Sequence, residues 1–325
     1  MLITTEERNM LRHLASEVAE IAELPIHETT RQLWKRLNGL DPERPMIGID
    51  QICWQEINVD DELTIRSRNE FAVQLETDLR KTLYRWKHMK ADMVIEKHID
   101  VPKAIRNTGF GVKTNEEVAS YDPNNPVKGH RYIDQLVTPE DLEKIQTPRI
   151  QLDSLITEER EQTSREIFNG ILDVRMTGMV SSFAPWDRIV QWHGVESSIM
   201  DLVDRPEFIH ALMKRFSDAH MNMLDQLEEQ GLLAYNLPTI HCTGAYTDDL
   251  PSARFDPEKP TAKDTWTSGM AQIFATVSPA MHDEFEIEYA IPWYRRFGLG
   301  YYGCCEPLHD KIHIIERLPG VRKFL

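Results

Sequence analysis

Apolar residues recur at three- and four-residue spacing through 5–23 and again through 27–39, which predicts two amphipathic helices. Thr4 or Thr5 is placed to cap the first, with Glu7 as its capping-box partner. Shorter apolar runs without that period read as buried strands. One spans 46–49 in "RPMIGIDQICW" and is closed by Asp50 and Gln51. Another spans 93–95 in "ADMVIEKHIDV" and is followed by Glu96, Lys97 and His98, with a helix over 69–89 between the two. Residues 107–135 are rich in Gly, Asn and Pro and predict an excursion, a small hairpin or lid.

Regular patterning resumes at 138. "TPEDLEKIQ" predicts a capped helix, as does 155–169, and "ILDVRMTGMVSSFAPWDRIVQWHG" reads as strand, loop, helix. The stretch "DRPEFIHALMKRFSDAHMNMLDQLEEQG" predicts a long helix with Pro206 in its first turn and Gly231 past its end. "LLAYNLPTIHCTGAY" reads as a strand ending in Asn236, His241 and Cys242, and a loop over 248–264 follows. "SPAMHDEFEIEYAIPWYRRFG" predicts a helix, "LGYYGCC" a strand, "EPLHDKIHIIERLPG" a helix, and "VRKFL" a final strand. Strands near 46, 93, 172, 234, 299 and 321 alternating with helices indicate parallel βαβ units, whose reactive groups gather at strand carboxyl ends.

Length and composition fit one large α/β domain or two ordinary ones: 325 residues, 41% of them hydrophobic, can fill a substantial core. Acidic residues (53) exceed Lys plus Arg (37), and the resulting net charge of -16 disfavours nucleic acid and anionic membranes as partners. Charges interrupt every apolar run at the N-terminus and no span of about 18–20 apolar residues occurs, so neither a signal peptide nor a membrane helix is expected. Four cysteines without scaffold-like spacing fit the reducing cytoplasm.

Several residues combine reactive type with a strand-end position. Glu96 and His98 could transfer protons, or simply hydrogen-bond each other. Asp50, Gln51 and Glu56 follow the first strand, where Asp50 is a candidate general acid and Gln51 a candidate substrate contact. Tyr235 and Asn236 are further polar contacts. Trp186, Trp192 and Trp266 could wall a flat ligand, although tryptophan is more often core. Cys53, beside a tryptophan and an apolar run, reads as core.

From 135 onward the order of landmarks resembles the uroporphyrinogen decarboxylase superfamily. "QLVTPEDLEKIQTPRI" is similar to its P-E-D-L-E-K helix, and "VSPAMHDEFEIEYAIPWYRRFGLGYYGCCEP" to its S-P-x-x-F-E-E-F helix and the strand that follows. The resemblance implies a (β/α)8 TIM-type barrel, here one domain over 1–325 with a helical N-terminal extension over 1–40. With about six strands and "VRKFL" reading as the middle of a strand, either the strand count is short or the expected barrel lacks its last βα units. The superfamily divides into decarboxylases and zinc-dependent methyltransferases that serve corrinoid proteins and thiols. Decarboxylation of a polycarboxylate porphyrinogen needs arginines near the first strand, and 48–58 contains none while carrying Asp50 and Glu56.

The methyltransferase branch carries His-x-Cys on the strand aligned with "YYGCCEP". Tyr302 or Gly303 stands in the place of that histidine, Cys304 or Cys305 keeps the cysteine, and the family's later cysteine has no counterpart. The resemblance therefore implies zinc held by Cys304 or Cys305 with His241 or Cys242, completed or oriented by Glu306 or His309, and Tyr302 as a substrate contact. Adjacent strand residues point to opposite faces, so at most one of the two sulfurs is expected to face the site unless the backbone has already turned. The implied activity is methyl transfer from a small methylated substrate to a corrinoid protein or thiol, with a second copy in a homodimer as a further partner. A lyase acting on a smaller carboxylate and a non-enzymatic ligand-binding barrel are the alternatives.

Overall fold

The structure, a computed structural model, describes residues 3–58, 60–120 and 128–324. Helices α1 (Thr5–Ala22), α2 (Ile26–Asn38) and α3 (Glu70–His88) come first, then β1 (His98–Pro102), β2 (Ile105–Asn107), β3 (Glu116–Ala119), β4 (Gly129–Tyr132) and β5 (Ile150–Leu152). Helix α4 (Ser154–Phe168) leads to β6 (Asp173–Thr177), β7 (Ser182–Phe183), α5 (Pro185–His193), α6 (Val195–Asp204) and α7 (Pro206–Glu229). Next come β8 (Thr239–Ile240), β9 (Thr243–Gly244), β10 (Trp266–Gly269) and α8 (Pro279–His282), which runs through a π-helical turn (Asp283–Ile287) into α9 (Glu288–Tyr294). Strand β11 (Leu299–Tyr302), helix α10 (Ile312–Ile315) and strand β12 (Val321–Phe324) follow.

This mixed α/β chain divides into two compact units. The first comprises Met1–Ala104, Leu152–Gly178 and Asn236–Asp249, and the second Ile105–Gln151, Met179–Tyr235 and Leu250–Leu325.

In the first unit, the apolar stripe of α1 (Leu11, Leu14, Ala15, Val18) meets that of α3 (Phe71, Leu75, Leu79) over Ile167 and Phe168 of α4. Strands β1 and β6 pair in parallel, from His98 opposite Asp173 to Pro102 opposite Thr177. Ile99 and Val101 enter the same core, so period-2 alternation turns His98 and Asp100 to the opposite face. Thr4 is the N-cap of α1 and forms the full capping box with Glu7. The carboxylate of Glu7 also accepts the amides of Arg68 (2.8 Å) and Asn69 (3.1 Å), tying α1 to the start of α3.

In the second unit, β12, β11, β10 and β7 form a four-stranded parallel sheet in that order. Every residue of β10 and β11 is buried, as a parallel sheet covered on both faces requires. Helix α7 brings Ile209, Leu212, Met213 and Phe216 against Trp186, Trp192, Phe274 and Phe285. Pro206 opens α7 as expected. Gly231 follows it at φ 64°, where a Cβ would come within 2.4 Å of the Glu258 carbonyl oxygen.

Several elements differ from the sequence reading. Residues 46–49 form no strand: Ile47 is largely exposed, and the backbone is held instead by Asp92, which accepts the Ile47 amide at 2.7 Å. The strand expected at 93–95 lies at His98–Pro102, so Glu96 and His98 stand at its beginning. The apolar run at 232–235 contributes a parallel bridge, Met179 to Leu233. Pro139–Lys144 is a 3₁₀ segment, and only Ile312–Ile315 of the last expected helix is helical. The hairpin expected within 107–135 exists as β3 and β4, antiparallel from Glu116 opposite Tyr132, while 121–127 lies outside the described residues. Cys53, expected in the core, is exposed. No helix among the described residues is long and apolar enough to cross a membrane.

The Glu7 clasp gives a pH-dependent expectation. Backbone hydrogen bonds, chiefly from Arg68, hold its carboxyl at about 2 against the usual 4.5. A depressed carboxyl stabilises fully above its unfolded value and loses that contribution as pH falls through its folded one. Glu7→Gln should therefore cost about 1–3 kcal/mol at neutral pH, the scale for orphaning buried donors. Urea unfolding should show the gap between wild type and variant closing as pH falls from 4.5 toward 2; a gap that persists unchanged contradicts the assignment.

Candidate functional site

The sulfur cluster sits where β10 and β11 end in the second unit. Gly269 is opposite Tyr302, and beyond the pair the Gly303 amide donates to the Gly269 carbonyl at 2.8 Å. Gly303 then turns with φ 110°, a value that excludes ordinary side chains. The alternation rule stops applying at this turn. Cys304 and Cys305 are thiols whose sulfurs lie 3.5 Å apart on the same side of the chain, with Cys304 half-buried and Cys305 exposed. The backbone has already turned at Gly303, which is the exception under which both sulfurs can lie on one side.

Glu306 holds this turn in place. It is only 3% exposed, and one carboxylate oxygen accepts the Ala271 amide (2.9 Å) while the other accepts the Cys304 amide (3.1 Å). Each oxygen takes one backbone amide, so the side chain is fixed in place beside the thiols. His309 is exposed and precedes α10, so it belongs to a turn and not to a helical first turn. Two thiolates bound to one tetrahedral zinc at about 2.3 Å would lie roughly 3.8 Å apart, close to the spacing present here. Among the described residues, no group of three or more His, Cys, Asp or Glu side chains is arranged to hold a metal ion.

Directly behind the thiols lies a polar group that sequence reasoning missed. The Tyr302 hydroxyl donates to Glu286 Oε2 at 2.8 Å and lies 2.7 Å from His282 Nε2. Since its single proton goes to Glu286, His282 Nε2 is the donor in the second bond. All three side chains are completely buried. Burial, followed by the negative charge of Glu286, pushes the Tyr302 phenol well above its usual range, so it remains a neutral donor. Glu286 Oε1 and His282 Nδ1 have no hydrogen-bond partner among the described residues. Lys311 is buried nearby in sequence, its ammonium donating to the Phe274 carbonyl at 2.7 Å, and burial lowers its pKa. The available signal was His282 and Glu286 four apart behind a Ser-Pro cap.

Tyr302, expected to contact substrate, thus has its hydroxyl committed inside the fold. Trp186, the other aromatic candidate, is wholly buried and donates its indole N–H to the Phe285 carbonyl at 3.1 Å, so it belongs to the core. Tyr235 stacks edge-on against Phe255 with ring centroids 4.7 Å apart.

In the first unit, His241 and Cys242 form the two-residue tip of the β8–β9 hairpin, with His241 at φ 51°. They therefore occupy a tight turn and not the end of a parallel strand. The hairpin is anchored by Asn38, whose amide donates to the carbonyls of Gly244 (3.1 Å) and Tyr246 (2.6 Å). Beside it is a cavity of about 220 Å³ lined by Trp34, Ile49, Asp50, Met89, Met93, Cys242 and Tyr246, among others. It brings together two sequence candidates, Asp50 and Cys242. Gln51, at φ 55°, is exposed.

The Tyr246 hydroxyl donates to Glu96 Oε1 at 3.0 Å, and Glu96 receives the Arg31 guanidinium at 2.9 and 3.3 Å. Burial raises the Tyr246 phenol above its usual range, with Glu96 adding to the effect. On the polar face of β1 and β6, Arg175 holds Asp100 in a fork at 2.6 and 2.9 Å. His98 Nε2 is 3.5 Å from Asp100, and burial together with Arg175 lowers its pKa, favouring neutral imidazole. Glu96 and His98 thus have different partners instead of forming a pair. The Asn236 carbonyl meets Arg175 at 3.5 Å.

Replacing Glu306 tests its positioning role. Glu306→Ala orphans two buried amides and should cost about 2–4 kcal/mol, whereas Glu306→Gln, able to accept only one amide well, should cost less. Denaturant unfolding measures the cost, and thiol labelling should show Cys304 reacting faster in the Ala variant; equal stability of wild type and Glu306→Ala would refute the role. No family model, curated protein or solved structure matches the chain.

Proposed function

We propose that this chain is an enzyme of methyl transfer, built as a (β/α)8-type barrel of the uroporphyrinogen decarboxylase kind, with the Cys304 and Cys305 thiols at its reacting centre. The observation that supports the reading is the 3.5 Å separation of the two sulfurs at the carboxyl end of a buried parallel strand. That is the rim where parallel α/β folds gather their chemistry. The spacing also suits two ligands of one soft ion.

Cys304 and Cys305 would hold zinc, with further ligands from the substrate or from other donors of the chain. When bound, zinc lowers the pKa of a substrate thiol and polarises a leaving heteroatom. The chain's own residues prepare the site. Glu306 fixes the turn that presents both sulfurs, and the Gly303 turn keeps side-chain bulk away from them. Tyr302, held by His282 and Glu286, makes a rigid floor beneath the turn. The reaction would move a methyl group from the heteroatom of a small substrate to a corrinoid or thiol acceptor. The acceptor supplies the electron pair of the new bond, and the departing heteroatom retains its own pair and takes a proton.

Protein purified without chelator should contain about one zinc per chain by elemental analysis. The doubly substituted Cys304→Ser, Cys305→Ser protein should lose that zinc while keeping its fold by circular dichroism. Cob(I)alamin with a small methyl thioether, followed by the cobalamin spectrum, should show methylcobalamin formed by wild type and none by the double variant. Metal-free wild-type protein, or undiminished transfer without the two thiols, would sink the proposal.

A further inference from the structure

We infer that the cavity of the first unit binds a small carboxylate through Arg85, with a donor group at the ligand's far end directed to Asp50. The inference does not depend on the thiol chemistry of the second unit. Arg85 lines the cavity and is fixed by one bond, from Nη2 to the Ile49 carbonyl at 3.0 Å. Its Nε is buried with no hydrogen-bond partner, and no acid pairs with the guanidinium among the described residues.

That situation is unusual in this chain. With a net charge of -16, acids are abundant, and the neighbouring Arg31, Arg44 and Arg175 each hold a carboxylate. The guanidinium lines the cavity with a single bond to the protein, and a ligand carboxylate there can accept charge-assisted bonds from its remaining Nη donors. Lys90, also on the cavity wall, has its ammonium over the Trp86 ring at 4.4 Å and no acidic partner among the described residues. Of the two cavity acids, Asp92 is already neutralised by the Arg44 fork at 2.7 and 2.9 Å. Asp50 has no partner among the described residues, so cations exceed the remaining acid.

Size and lining complete the description of the ligand. About 220 Å³ is below the range of roughly 300–1,000 Å³ typical of drug-sized ligands, so a compact molecule is required. Trp34, Met89 and Met93 add apolar wall to the same cavity. A short aliphatic chain with a carboxylate at one end and an amine at the other matches this distribution.

Isothermal titration of the full chain with butyrate, 4-aminobutyrate and butanamide tests the assignment. Both carboxylates should bind and the neutral amide should not. Arg85→Gln should weaken both carboxylates roughly tenfold or more, the loss expected for a charge-assisted bond. Asp50→Asn should weaken 4-aminobutyrate toward the affinity of butyrate and leave butyrate unchanged. The Cys304→Ser, Cys305→Ser protein should bind as wild type does, which separates this site from the thiol reading. Should Arg85→Gln not fold, Arg85→Lys, which keeps the charge and loses the fork, should still weaken binding. Failure of both carboxylates to bind wild type, equal binding of butanamide and butyrate, or undiminished binding by the Arg85 variants overturns the inference.

Discussion

The arrangement of the second unit depends on one buried carboxylate. Strands β10 and β11 are covered on both faces, so the amides just past their ends are largely withdrawn from water and need an acceptor within the fold. Glu306 accepts one from each side, Ala271 after β10 and Cys304 after β11, and thereby joins the two strand ends through a single side chain. A charge that takes two backbone donors is well satisfied even at 3% exposure. The thiol geometry follows, because the Cys304 amide and the Gly303 turn are fixed together. Beneath it, Gly269 and Gly300 leave room for the Tyr294 ring, whose hydroxyl donates to the Tyr301 carbonyl at 2.6 Å.

The first unit handles polarity differently. Its two-stranded parallel pair is apolar on one face only, and the other face carries a bound set of charges: Asp100 with Arg175, Glu96 with Arg31 and Tyr246. These pairs are partly exposed, so each contributes modestly to stability. Their larger effect is positional. Tyr246 is held at the cavity wall by Glu96, and the hairpin that carries it is held by Asn38, so the cavity is framed by side chains with fixed partners.

The helices were legible in the sequence because their signals are local. Apolar spacing places the ends of α1, α3 and α4 within a residue of those observed, and the Glu7 capping-box partner of α1 was readable too. Short parallel strands were less legible. Strand β10 reads Trp-Thr-Ser-Gly, hardly an apolar run, yet it is central and buried. Its polarity is absorbed internally: Thr267 donates to the Ser181 carbonyl at 3.0 Å and accepts the Trp293 indole N–H at 2.8 Å. Conversely, 46–49 is apolar but unpaired, since apolar composition alone supplies no neighbouring strand. Placement was legible only in part: Asp50 and Cys242 share a cavity and Cys304 and Cys305 stand past a strand end, but the two amides that Glu306 accepts and the burial of Tyr302 depend on contacts distant in sequence.

The group that escaped the sequence reading sits where the helical period itself changes. Residues 283–287 form a π-helical turn, so a stretch read as one continuous helix contains an extra residue within a turn. An i, i+4 pair in a regular surface helix is ordinarily a solvent-facing ion pair. Here the altered turn carries His282 and Glu286 inward together, where both reach the Tyr302 hydroxyl. Such turns are less stable than regular helix, and burying a carboxylate is costlier still. Local preference and the observed arrangement therefore disagree twice in five residues, immediately behind the thiols. Conflicts of this kind persist where the surrounding fold over-determines them, and they concentrate near functional sites.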